Sequence, residues 1–148
     1  MHVIKAQRTV YFDVDDTLLI ANYGCYYPSP EEVVSVKCPD SGYTTCFMKH
    51  ERHINLMKQF KARGHTIIVW SQGGHRWAES AVKLLELDSI VDYCMDKPSW
   101  YVDDLPSTAF MGRNVYLHPT DPSKDNKHYP SNEELDEKTE GEDCVAGR

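Results

Sequence analysis

The chain has no apolar run long enough to cross a membrane and no basic-then-apolar leader behind Met1, so it reads as neither a membrane span nor a secreted precursor. It also lacks closely spaced cysteines. The five present, Cys25, Cys38, Cys46, Cys94 and Cys144, are odd in number and scattered, which excludes a disulfide framework and reads as reduced thiols in a cytoplasmic protein. There is no internal repeat, and an excess of base is missing. The formal charge is −7: from Thr120 onward nine acidic side chains face four basic ones, leaving fourteen against twelve before that point. A near-neutral body with an acidic end is not attracted indiscriminately to nucleic acid or to an anionic membrane; only a local basic groove would serve. The end itself, "TDPSKDNKHYPSNEELDEKTEGEDCVAGR", is nearly free of aliphatic residues. Residues 120–148 therefore read as a disordered acidic tail, in which only Tyr129 and Leu135 offer something to dock.

What is present is a set of strand and helix signals filling one domain over residues 1–119. "TVYF" is a run of β-formers, and "HTIIVWS" is a second, nearly all apolar before Ser71. "SIVDYCM", "SWYVDD" and "NVYLHP" read as three further short strands. Between them, "HERHINLMKQFKARG" places Ile54, Met57 and Phe60 on one face and stops at Gly64. A second helix over His75 to Leu87 groups Trp77, Ala81, Leu84 and Leu85. Strands alternating with helices predict an α/β, Rossmann-like three-layer sandwich whose five-stranded sheet is mostly parallel. "VVSVKC" and "YTTCFM" around "PDSG" predict a β-hairpin, part of a small flap spanning about residues 20–50. Trp70, Tyr101 and Tyr11 are expected in the core.

The stretch "TVYFDVDDTLLI" poses the chemical question. Asp13, Asp15 and Asp16 crowd the end of a buried strand, where like charges repel and stabilise nothing. Ligands of an open parallel sheet bind at the carboxyl ends of its strands. On the predicted sheet Asp13, Asp15, Ser71, Lys97, Asp103 and Asp104 would all gather at that edge. A hard divalent cation, Mg²⁺ above all, accounts for clustered carboxylates, because it takes oxygen ligands and shares them with substrate phosphate. Cys38, Cys46, His50 and His53 lie in and after the predicted hairpin and could in principle make a zinc site, but the spacing lacks a tight Cys-x-x-Cys pair, and hairpin cysteines more often fill half-buried positions.

These residues resemble the haloacid dehalogenase superfamily of phosphohydrolases. "DVDDT" matches its Asp-x-Asp-x-Thr signature, Ser71 at the end of "TIIVWS" looks like its second motif, and Lys97 with Asp103–Asp104 in "DKPSWYVDD" look like its third and fourth. The resemblance covers Val10 to about Asp104. It implies a Mg²⁺-dependent phosphomonoester hydrolase of the small type with little or no cap. Asp13 would be the nucleophile forming an aspartyl-phosphate, and Asp15 the general acid and then base. Asp13, Asp103 and the Asp15 main-chain carbonyl would hold the metal. Ser71, Gln72 and Lys97 would bind phosphate, Thr17 would brace the loop, and Asp104 would orient Lys97 or a metal-bound water. Asp16 would be a turn residue or helix-start cap without chemistry. Arg76 and His75 are the other candidate cations for the phosphate.

Only five residues separate Lys97 from Asp103, too few for the helix that commonly lies between those motifs. With room for a hairpin but no cap, the site should be open, and the charge balance favours small phosphoesters over polynucleotides as substrates. The alternatives are a polynucleotide 3′-phosphatase or nucleotidase, and a non-catalytic phosphate-binding module.

Overall fold

A computed structural model describes residues 3–5, 8–21, 30–37, 42–115, 122–124, 130–136 and 143–145. In chain order its elements are β1 (Val3–Lys5), β2 (Thr9–Asp13), β3 (Leu19–Ile20), β4 (Val33–Lys37), β5 (Thr44–Lys49), α1 (Glu51–Ala62), β6 (Thr66–Ser71), α2 (His75–Leu84), β7 (Tyr93–Asp96), α3 (Ser107–Phe110), α4 (Asn132–Asp136) and β8 (Asp143–Val145). The fold is mixed α/β. β2, β6 and β7 form a parallel sheet in the order β2-β6-β7, with Asp13 opposite Trp70 and Ser71 opposite Asp96. β3, β5 and β4 form a separate antiparallel sheet, and β1 pairs with β8.

The apolar runs explain the parallel sheet. Ile67 and Val69 on one face of β6 and Ile68 on the other are all buried, as a strand covered on both faces should be, and Phe12 of β2 is buried beside them. α1 contributes Ile54, Leu56 and Met57 to the same core, α2 contributes Ala78, Ala81 and Val82, and Val14, Leu18 and Leu19 fill it from the loop after β2. Each large aliphatic side chain buried here contributes roughly 1.5–3 kcal/mol.

Both helices end in the same hydrogen-bond pattern. After α1 the N–H groups of Gly64 and His65 donate to Lys61 and Phe60, and after α2 those of Glu86 and Leu87 donate to Lys83 and Val82. This closure needs a left-handed residue, and Gly64 supplies one at φ 85°. α2 uses Glu86 instead, at φ 57°, and so ends at Leu84 rather than at the expected Leu87.

Three expectations change. Among the described residues the sheet has three parallel strands, against the five expected. Trp100–Asp104 of "SWYVDD" is irregular, and the N–H of Lys97 donates to Ser71 O at 2.9 Å, holding the chain at the carboxyl edge. A new parallel strand would have to start at the opposite edge, a return that takes about a dozen residues. Pro98 and Ser99, the two residues between Lys97 and Trp100, cannot make it. Trp100 and Val102 accordingly stand 90% and 101% exposed. Most of "NVYLHP" lies outside the described residues. Second, Tyr101 and Tyr11 are exposed, and of the three aromatics expected inside, Trp70 alone is even half-buried. Third, the region after residue 120 is not uniformly without apolar purchase. α4 sets Leu135 into the core at 3% exposure, and Arg63 pairs with Asp136. Tyr129 lies outside the described residues.

The hairpin forms as expected between β4 and β5, although "PDSG" lies outside the described residues apart from Gly42. β3 joins it against the end of β5, through Leu19 and Ile20. Among the described residues no helix is long and apolar enough to cross a membrane.

Candidate active site

The strand register decides which polar groups meet. β2 ends at Asp13, whose carboxylate is held from two sides. Lys97 Nζ lies 3.1 Å from Oδ1, and Thr17 Oγ1 donates to Oδ2 at 3.4 Å. Asp13 and Lys97 keep 31% and 29% of their side-chain surface, so an ion pair this wet adds under about 1 kcal/mol to stability. Folding alone does not explain it. Lys97 also lies over the Trp70 ring, 5.8 Å from the centroid, and its backbone is tied to the end of β6.

The loop after β2 is wound tightly. Val14 O accepts from the N–H groups of Thr17, Leu18 and Leu19, and Asp16 N donates to Leu19 O. These bonds make a bridge between Asp15 and Leu19 that does not use the Asp15 carbonyl. Asp16 takes φ 59°, a left-handed turn position that Asp tolerates better than most residues. From below, the buried His53 of α1 approaches Thr17 O at 2.6 Å through Nδ1. A carbonyl only accepts, so Nδ1 carries the proton. His53 is thereby a brace for the signature loop.

Asp15 turns toward α2. The indole N–H of Trp77 is 3.2 Å from both Asp15 carboxylate oxygens, and Ser71 Oγ is 3.5 Å from Oδ2. Ser71 itself is fully buried and accepts from Gly73 N at 3.0 Å. The turn into α2 has glycines for a spatial reason. A side chain at Gly73 would come within 3.2 Å of the Trp77 ring and 3.3 Å of Ser71 Oγ, and Gly74 adopts φ 98°.

The first N–H of α2, on His75, is capped by Asp96 from the end of β7, and His75 Nδ1 is 3.0 Å from the same oxygen. The His75 N–H, and then its ring, hold the Asp96 carboxyl below the usual carboxylate range. His75 is thus committed to Asp96, and Arg76 is exposed on the first turn of α2. Neither contacts Asp13 among the described residues.

The structure therefore brings Asp13, Thr17, Lys97, Asp15 and Ser71 together, with Gln72 exposed in the turn beside Ser71. It does not bring Asp103 and Asp104 to them. Asp103 Oδ1 accepts from Leu105 N at 2.9 Å, and both residues are exposed on the irregular segment. Among the described residues no three His, Cys, Asp or Glu side chains gather to hold a metal. The expected Mg²⁺ set, two carboxylates and one main-chain carbonyl, needs only two such side chains. Its hard oxygens suit the cation at Asp13 and at the Asp15 carbonyl, which accepts no backbone hydrogen bond among the described residues, and Asp103 would have to approach. In the hairpin, Cys46 Sγ lies 3.5 Å from Ser35 Oγ, the rings of His50 and His53 stack at 3.3 Å, and Cys38 lies outside the described residues.

Reading the chain alone missed Trp77, His53 and Asp96 as parts of this edge. Trp77 carried only an amphipathic signal, and His53 and Asp96 carried none that marked a partner distant in sequence. Compared with known proteins, the chain matches no family profile, no curated protein and no solved structure.

Proposed function

We propose that this chain is a Mg²⁺-dependent phosphomonoester hydrolase acting through an aspartyl-phosphate. The observation that carries the reading is Asp13: a part-exposed carboxylate at the carboxyl end of a parallel strand, faced by one ammonium at 3.1 Å in a contact that folding does not need. One oxygen of Asp13 would attack phosphorus as the bond to the ester oxygen breaks. The leaving oxygen would take its proton from Asp15, which then draws a proton from the water that attacks the acyl phosphate and frees phosphate. Lys97 and the Ser71 hydroxyl would balance charge on the transferring group, and Thr17 would keep Asp13 aimed. Asp13, the Asp15 carbonyl and Asp103 would hold Mg²⁺, which when bound offsets the negative charge on phosphate and carboxylate.

The exposed approach to Asp13, with a hairpin and, among the described residues, no cap, suits small phosphoesters. The test is release of phosphate from a panel of phosphorylated metabolites, nucleotides, 3′-phosphorylated DNA and an activated aryl phosphate, each with Mg²⁺ and with EDTA. Metal-dependent release that disappears in Asp13→Asn supports the reading. Activity untouched by chelation, or by that substitution, overturns it.

A further inference from the structure

The proposed acid–base residue is held by a side chain from another element. We propose that Trp77 is a positioning residue for Asp15, and that the hairpin sheet acts on the chemistry through it; this rests on the phosphatase reading above. The indole N–H lies 3.2 Å from Oδ1 and 3.2 Å from Oδ2, so it sits between the two oxygens and sets the orientation of the carboxylate. Ser71 Oγ, at 3.5 Å, is the weaker second contact. The indole is in turn backed by Phe47 of β5, ring centroids 5.8 Å apart, and Phe47 is buried in the same core. The bare Gly73 also lets the ring lie against the phosphate-binding turn, where any Cβ would be 3.2 Å from it. A tryptophan that touches both hairpin and turn, with its one polar atom spent on Asp15, is tied to all three. Movement of the hairpin must therefore move the indole, and with it the carboxylate that gives up the proton.

The consequence is specific to proton donation. Trp77→Phe keeps an aromatic ring against Phe47 and removes the N–H. Alkyl phosphates, whose leaving oxygen needs the proton, should lose about tenfold in kcat, a part of the roughly 10²–10⁴-fold that a placed acid supplies. An activated aryl phosphate should change less than about threefold in its phosphorylation step, since its leaving group departs without help. Phe47→Leu should show the same selectivity more weakly. A second readout needs no turnover: of the three indole N–H signals expected in ¹⁵N spectra, the one missing from Trp77→Phe should be the one that shifts most in Asp15→Asn. If that signal ignores Asp15, or if both substrate types fall together in Trp77→Phe, the positioning role is overturned. If wild-type protein hydrolyses no phosphoester with Mg²⁺, the phosphatase reading falls and the role falls with it, while the indole signal still reports the contact.

Discussion

Two stretches carry acidic residues expected at one site, and they differ in what holds them. Asp13 ends β2 and Asp15 lies just beyond it; the partner strand β6 is fully buried at Ile67 and Val69, and each carboxylate has a named side-chain partner. Asp103 and Asp104 follow Lys97 on an irregular, exposed segment, with Tyr101 resting on Phe110 as its one ring contact among the described residues. Strand pairing repeats every residue and so fixes position to a fraction of a residue length. A segment held by one local bond, Leu105 N to Asp103, has no such constraint. Position at the sheet edge therefore comes from the strand beneath a residue, not from its nearness in sequence to other site residues.

The sharpest test of the ordered half is Asp13→Asn. Removing the proposed nucleophile should lower kcat by on the order of 10³-fold or more with the circular dichroism spectrum unchanged. Turnover within tenfold of wild type would break the covalent mechanism.

A stability pair tests the structural side. Ile67→Ala should cost roughly 2–5 kcal/mol in denaturant unfolding, because a cavity opens beneath the site. Val102→Ala should stay within about 0.5 kcal/mol, since that side chain is already in water. A large cost at Val102 would mean the segment is packed, and the contrast would dissolve.

The metal side comes next. Asp103→Ala should raise the Mg²⁺ concentration for half-maximal activity about tenfold, as loss of a ligand or its support commonly does, and Asp104→Ala should raise it less. If both are silent, the segment takes no part in the site.

Acid should loosen the ordered half. The Asp92 carboxyl lies below its ordinary 3.8, first because Ile67 N–H donates to it and then because Lys61 does; Asp96 is lowered by His75. Carboxyls lowered by folding give stability that is fully present above that ordinary value and is lost as pH falls through the lowered one. Unfolding measured from pH 5 to pH 2 should show a steeper acid decline in wild type than in Asp92→Asn. Equal slopes would discount the tie between Asp92 and β6.

The smallest effect belongs to α2. Glu86→Gly should stabilise by up to about 1 kcal/mol, since glycine takes φ 57° without strain and Gly64 already does the same work after α1. A loss of stability would show that the Glu86 side chain has a role that its conformation hides.

Local patterns were legible in the chain itself. "TIIVWS" announces a buried strand because β-formers with both faces apolar have few other places to go, and "TVYF" announces a strand beside it, although of its four residues Phe12 alone is buried. The hairpin and the stop at Gly64 follow from turn and cap chemistry that acts over a few residues. The clustered aspartates stand out in the chain because their mutual repulsion is visible without coordinates. Tertiary structure alone decided what reaches them. Lys97 meets Asp13 across 84 positions because Ser71 O captures its N–H, and the same capture leaves "WYVDD" too little chain to enter the sheet. Trp77 finds Asp15 because β6 and α2 bring them face to face, and Leu135 finds the core although its neighbours are polar. Such contacts depend on the loop closures and strand order of the whole chain, and no window of a few residues contains them.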